Sequence, residues 1–310
     1  MDDPIPVKRL LDIPHLADRK QLSLVIMDSG MGGLSICADL VERLRRSGLP
    51  TAVQLTYFNA WPESGRGYNA LEPVQQSRVF DRALRGALAF APDAIILACN
   101  TLSILYKRTD FATACRLPVI GILDYGVDLI RDYLMTEPAG RVIILGTRTT
   151  IAADAHRRAL LEQGVAGSRL AVQACDGLAS LIENDPHGRA VRESINVWLG
   201  QAFRHLPAGG SPVSLALCCT HYGYSAALFQ AGLARLAEGG RLLNPNQAMA
   251  QGLLAGLPEG VSSIDTLRVV SRIAWQPRQI AAIGSLLGAV SPLTARALEQ
   301  YRHDPDLFEL

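Results

Sequence analysis

No run of apolar residues in this 310-residue chain comes near the ~18 that a membrane-spanning helix needs. Charge of one sign is missing as well: 30 Lys and Arg stand against 29 Asp and Glu, a formal net charge of +1. That balance offers no electrostatic footprint for a phosphate backbone or an anionic lipid surface, so neither nucleic acid nor membrane is an expected partner. Aromatics are sparse at 6%, yet 49% of the residues are apolar and only 19% charged, too hydrophobic a composition for a disordered chain. The six cysteines, at 37, 99, 115, 175, 218 and 219, include no Cys-x-x-Cys pair and no histidine partner at the spacing a structural zinc site would display. A structural zinc site and a disulfide framework are therefore not expected, and no metal is assigned. The amino terminus Met1-Asp2-Asp3-Pro4 opens acidic, where a secretory signal opens basic and then turns apolar, so a cytoplasmic location is expected.

What the sequence does contain is rhythm. Short apolar runs bounded by Gly, Pro or Asn alternate with amphipathic stretches of a dozen residues, the pattern of an α/β protein with parallel sheets. Strands are expected over Leu22–Met27, Gln54–Phe58, Ala94–Ala98, Val119–Leu123, Arg141–Leu145, Leu170–Gln173 and Val213–Leu217. Helices are expected over Leu34–Arg46, Ile151–Glu162, Arg189–Leu206 and Ser225–Glu238.

A weak internal repeat is laid over this rhythm. Val25-Ile26-Met27 ends in Asp28-Ser29-Gly30, and about 118 residues later Val142-Ile143-Ile144-Leu145 ends in Gly146-Thr147-Arg148. Ile95-Ile96-Leu97-Ala98 ends in Cys99-Asn100-Thr101, and about 120 residues later Leu215-Ala216-Leu217-Cys218 ends in Cys219-Thr220-His221. Two similar α/β lobes are implied, the first over 22–122 and the second over 123–243, with residues 131–140 near the change-over. The tail 244–310 lacks a third copy and is expected to return to the first lobe, and residues 1–21 form an extension of unassigned role.

In parallel α/β sheets ligands bind where the carboxyl ends of strands meet helix N-termini, so the polar turns after apolar strands are the candidate site. The turn Asp28-Ser29-Gly30-Met31-Gly32-Gly33 is not a dinucleotide fingerprint, because Ser35 stands where a glycine is needed, and no Gly-Lys-Ser of a P-loop is present. Its glycines are read either as letting backbone N–H groups approach an anionic ligand, with Ser29 adding a donor, or as a tight turn with Asp28 as cap.

Cys99 and Cys219 end equivalent strands, so facing lobes would bring one thiol to each side of a shared cleft. Two acid-base groups on opposite faces of a carbon acid are what inversion requires, since one removes the α-proton while the other delivers its replacement. His221, two residues from Cys219, and Asp28, in the same lobe as Cys99, are the natural partners. Cys37, Cys115, Cys175 and Cys218 lack this matched placement and are assigned to packing. His156 and His187 follow no apolar strand and are expected on exposed surfaces, whereas His15, His205 and His303 have no cysteine or carboxylate constellation around them. No lysine sits in a recognisable pyridoxal-binding context, so chemistry without a cofactor is expected.

Together the segments Asp28-Ser29-Gly30-Met31-Gly32-Gly33-Leu34, Ala98-Cys99-Asn100-Thr101 and Cys219-Thr220-His221-Tyr222 resemble the aspartate/glutamate racemase superfamily, glutamate racemases most closely. The resemblance spreads over the chain from about Leu22. It implies two α/β lobes with the active site between them and cofactor-independent racemisation by Cys99 and Cys219, assisted by Asp28 and His221. It also implies Ser29, Asn100, Thr101, Thr150 and Thr220 as substrate binders, Glu183 near His221, a small amino-acid substrate, and a homodimer as the common assembly.

The sequence departs from that pattern after the second strand. Glutamate racemases carry Asp-Thr-Ala-Arg-x-Pro-Tyr-Gly there, whereas this chain reads Asn59-Ala60-Trp61-Pro62-Glu63-Ser64-Gly65-Arg66-Gly67-Tyr68. Asn59, Arg66 and Gly67 become the candidate substrate contacts of this segment, with Arg66 either clamping a carboxylate or solvating the rim. Glutamate, destined as the D-enantiomer for peptidoglycan, is the expected substrate. A relative acting on another substrate, such as aspartate, a hydantoin or a malonate, and a silent ligand-binding homologue are the alternatives.

Overall fold

A computed structural model describes residues 9–13, 19–48, 51–257, 260 and 263–310. Most of the 1–21 extension, His15 included, lies outside the described residues, and Gln21 already opens the first strand. In the first sheet lie β1 (Gln21–Asp28), β2 (Ala52–Asn59), β3 (Ala94–Leu97), β4 (Val119–Gly121), β9 (Ile264–Ser271) and β10 (Arg302–His303). The second holds β5 (Arg141–Gly146), β6 (Leu170–Ala174), β7 (Val213–Cys218) and β8 (Leu242–Leu243).

The strand orders are β10-β9-β2-β1-β3-β4 and β6-β5-β7-β8, and the pairings are parallel. The run β2-β1-β3-β4 is thus repeated, strand for strand, as β6-β5-β7-β8. These are the two similar lobes that the repeat implied. Parallel strands are covered by helices on both faces, which is why β1 is apolar almost throughout: Leu22, Leu24, Val25, Ile26 and Met27 are fully buried. Alternation divides them between layers, with Leu24 and Ile26 packing with Leu34, Leu40 and Leu44, and Val25 and Met27 with Phe80, Leu84 and Leu102.

Three boundaries differ from expectation. Ile122 and Leu123 are not strand but open the helix Ile122–Thr136, for which Gly121 is the extended N-cap residue. Ile122, Val127, Ile130 and Leu134 recur there at helical spacing, and a short apolar run at a strand end carries no mark of where the period changes. The stretch Ile151–Glu162 is two helices, Arg148–Ala153 and Ala155–Glu162, broken at Asp154, whose φ of 53° is left-handed. Asp tolerates that conformation better than most residues, and its carboxylate holds Arg157 at 2.6 Å in the next turn. The helix expected over Ser225–Glu238 is shorter, Ala226–Ala234, and follows a 3₁₀ segment, Thr220–Ser225.

The chain leaves the first sheet after β4 and comes back to it through β9, which pairs along β2 from Val53↔Ile264 to Asn59↔Ser271. Carboxyl ends of β1 and β3 in one lobe, and of β5 and β7 in the other, therefore face a common space.

Candidate active site

That space is a cavity of about 290 Å³. The first lobe lines it with Ser29, Trp61, Gly67, Tyr68, Asn69, Cys99, Asn100 and Thr101. The second contributes Thr147, Arg148, Thr150, Cys175, Asp176, Glu183, Cys219, Thr220 and His221. Both cysteines singled out from the repeat are among them, one from the end of β3 and one from the end of β7, each buried except for the face it shows the cavity.

Cys99 caps the helix Asn100–Tyr106, and its Sγ lies 3.2 Å from Ser29 Oγ. Burial pushes the Cys99 thiol up to about 12, and the charge of Asp28 adds to this, against the lowering effect of the Ser29 hydroxyl and the Leu102 N–H. At neutral pH Cys99 is a thiol. On the other side Cys219 Sγ is 3.7 Å from His221 Nδ1, close enough to exchange a proton, and His221 Nε2 is 2.7 Å from Glu183 Oε1. Burial lowers the His221 pKa, but hydrogen bonds to Cys219 and Glu183 override it and hold the imidazole well above 6.5, protonated at neutral pH.

The glycine-rich turn has an anionic partner, and it comes from the chain itself. Met31 N–H donates to Glu183 Oε1 at 2.8 Å, so one carboxylate oxygen ties the first-lobe turn to His221 of the second lobe. Gln279 Nε2 donates to the other oxygen at 3.4 Å. The glycines serve this approach: a Cβ at Gly30, whose φ is +151°, would stand 2.7 Å from Glu183 Oε1, and one at Gly32 would stand 2.3 Å from Thr220 Oγ1.

Asp28 is completely buried and does not line the cavity. Thr220 Oγ1 donates to its Oδ2 at 3.0 Å across the lobes, while Oδ1 has no partner. Burial raises the Asp28 carboxyl to about 6, despite the lowering effect of His221 and the Thr220 bond.

Thr101 Oγ1 lies 3.1 Å from the hydroxyls of both Thr147 and Thr150, joining the turns after β3 and β5. Asn100 places Oδ1 3.1 Å from His156 Nε2. His156 is buried, not exposed as expected from sequence, because the break at Asp154 starts a new helix that turns it toward the first lobe. His187 is exposed.

Two expected contacts lie elsewhere. Asn59 is buried behind the site, its Nδ2 donating to Ser271 Oγ at 2.8 Å and its Oδ1 accepting from Trp61 N–H at 3.2 Å, so both ends of its amide are engaged in structure. Arg66 is exposed in a turn closed by the Glu63–Arg66 bridge and is absent from the cavity lining. Gly67 does line it, under the Trp61 ring, where a Cβ would be 2.3 Å from the indole. Thr147, Arg148, Tyr68, Asp176 and Cys175 also reach the cavity without having been expected there, all from turns that follow strands of matched position. That placement was the available signal for them. Cys175 and Cys218, assigned to packing, are buried yet reach the cavity wall.

Among the described residues no group of three or more His, Cys, Asp or Glu is placed to hold a metal ion, and no helix is long and apolar enough to cross a membrane.

Known proteins resemble this chain in sequence and in fold. Glutamate racemases are similar in sequence: that of Chlorobium phaeobacteroides is 29% identical over 199 residues, 64% of this chain and 66% of that protein. That of Deinococcus radiodurans is 27% identical over 219 residues, 69% of each. The matched region thus spans about two thirds of the length of these curated relatives. In three dimensions the fold matches a glutamate racemase isoform from Bacillus anthracis with a TM-score of 0.65 at 20% identity, covering 87% of this chain and 94% of that one. It also matches the Francisella tularensis glutamate racemase solved with D-glutamate, with a TM-score of 0.65 at 20% identity over 86% and 94% of the two chains. The sequence profile of Asp/Glu/Hydantoin racemases matches residues 24–252, and the chain belongs to that family.

Proposed function

We propose that this protein is a cofactor-independent racemase of an acidic amino acid, glutamate foremost, working by two thiols. The observation that carries the reading is the pair Cys99 and Cys219, set at matched strand ends of opposite lobes and lining one cavity. Their surroundings suit proton transfer. Cys99 is a thiol ready to give a proton, and His221, protonated and backed by Glu183, can exchange one with Cys219.

In one direction the Cys219 thiolate removes the α-proton, becoming a thiol, while Cys99 delivers its proton to the opposite face of the carbanion and becomes a thiolate. The reverse direction exchanges the roles, and no net proton is gained or lost. Asp28, whose free Oδ1 and pKa of about 6 fit an acid-base group, assists Cys99 as His221 assists Cys219. Fixed donors stabilise the charge that grows on the substrate carboxylate, each typically worth ~3–4 kcal/mol. Candidates are the Ser29, Thr101 and Thr150 hydroxyls and the Asn100 amide, whereas the Thr220 hydroxyl is given to Asp28. Arg148 and Asp176 both reach the cavity wall, the guanidinium held by the Asp176 carboxylate at 2.6 Å, so the two charges offset each other there. A cavity near 290 Å³ is at the lower end for ligand sites and suits a single amino acid. By resemblance to its family, the product D-glutamate would serve peptidoglycan.

The test is α-proton exchange in D₂O, followed by NMR with glutamate, aspartate and their amides. Exchange with an acidic amino acid and its loss in both Cys99→Ser and Cys219→Ser support the two-thiol scheme. Full activity in either variant removes that residue from it. No exchange with any of these substrates favours a silent ligand-binding homologue.

A further inference from the structure

His156 takes no part in the proton chemistry above, yet it is an almost fully buried imidazole set against a residue of the cavity wall. It belongs to the second-lobe helix Ala155–Glu162, and its Nε2 lies 3.1 Å from Oδ1 of Asn100 in the first lobe. A carbonyl oxygen has no proton to give, so Nε2 carries the hydrogen and the imidazole donates. Burial lowers the His156 pKa to about 4, against a smaller raising effect of Asp154, so the ring is neutral at pH 7 and this is its one N–H. The ring is packed in place: a Cβ at Gly126 would be 3.3 Å from Nε2. At its other end the Asn100 amide is unpaired, with Nδ2 buried and lacking any hydrogen-bond partner in the wall of the cavity beside Cys99. Buried donors in native proteins find partners, and an unpaired one facing a cavity is a place for a ligand's acceptor.

We propose that His156 is a positioning residue for substrate binding: its N–H fixes the Asn100 side chain with the carbonyl turned to the second lobe and the NH₂ turned to an anionic oxygen of the substrate, its carboxylate. Because donor and amide stand on different lobes, the Asn100 NH₂ is aimed only when the lobes are together. The inference rests on the racemase reading of the site.

The test compares His156→Leu, which fills the volume without a donor, with His156→Gln, whose amide nitrogen can stand near the position of Nε2. Each is made in the wild-type and Asn100→Ala backgrounds, and KM and kcat are read from glutamate racemisation by circular dichroism. Expected is a roughly 3- to 10-fold rise in KM for the leucine variant with kcat little changed, recovery in the glutamine variant, and no further rise from leucine once Asn100 is alanine. An unchanged KM in His156→Leu overturns the proposal, and so does an equal rise in both backgrounds, which would show packing alone. Long-range ¹H–¹⁵N spectra of the wild-type protein decide independently of any variant's folding: a protonated Nε2 with a bare Nδ1 is required, and the opposite tautomer overturns the proposal. If the wild-type protein exchanges no acidic amino acid, the racemase reading fails first and this inference fails with it.

Discussion

Replacing Asp28 with asparagine should make the protein more stable at neutral pH and far less active. The carboxyl is completely buried, and burial raises its pKa from 3.8 to about 6. At ~1.36 kcal/mol per pH unit this amounts to ~3 kcal/mol of destabilisation once the group is ionised. The sign follows from proton binding: the folded protein holds the Asp28 proton more tightly than the unfolded chain, so stability falls as pH rises from about 4 to about 6, and the full deficit persists above that. Asparagine keeps an oxygen to accept the Thr220 hydroxyl and has no charge to desolvate. The variant should therefore gain up to ~3 kcal/mol at pH 8, roughly 5 °C in Tm for a chain of this size, and nothing near pH 4. Thermal unfolding across pH 4–8, with α-proton exchange measured in parallel, checks both halves. A Tm difference that does not change with pH refutes the electrostatic account. A stabilised variant with undiminished exchange removes Asp28 from the reaction.

Glu183→Gln keeps the shape but removes the charge behind His221, so the imidazole should lose its proton at lower pH. The high-pH limb of the kcat/KM profile is expected to move downward, and kcat/KM to fall by roughly 10- to 100-fold. Enantiomers have equal free energy, so both directions must fall alike, and an unshifted profile measured by polarimetry would count against the Glu183–His221 pairing. Gly32→Ala forces a Cβ to within 2.3 Å of Thr220 Oγ1 and 2.8 Å of the His221 backbone nitrogen, so it should cost about 1–3 kcal/mol in thermal denaturation and most of the activity. Gly284→Ala, in the helix Pro277–Val290 with nothing within 4 Å of the new methyl, should instead be neutral or stabilising by up to ~1 kcal/mol.

The seven strands were legible because parallel strands covered by helices are largely apolar runs, and the repeat was legible because matched runs end in polar turns that feed helices. Strand β9 escaped notice because its burial is uneven, partly open over Ile264–Arg268 and closed only from Val269 to Ser271. The cysteine pair could be read from position within the repeat, but the partners of a side chain could not. Arg66 has the right chemistry for a carboxylate and points away, whereas Arg148 and Asp176 line the cavity through turns whose sequence says nothing of direction. His156 shows the same limit: a single left-handed residue, Asp154, decides which way its helix faces, and no periodicity in the sequence announces it.

Because the chain quits the first sheet after β4 and rejoins it at β9, the two halves are held by a double tether, not a single linker. Asn246 pins the second crossing, its Nδ2 donating to Ser35 Oγ at 3.0 Å in one half and to the Thr220 carbonyl at 2.8 Å in the other. Two crossings oppose sliding and separation of the halves more than one linker would, and the bonds Met31–Glu183 and Thr220–Asp28 add to them. The same geometry means that cutting the gene between the halves would strip β2 of β9, one of its two neighbours, and leave a bare sheet edge.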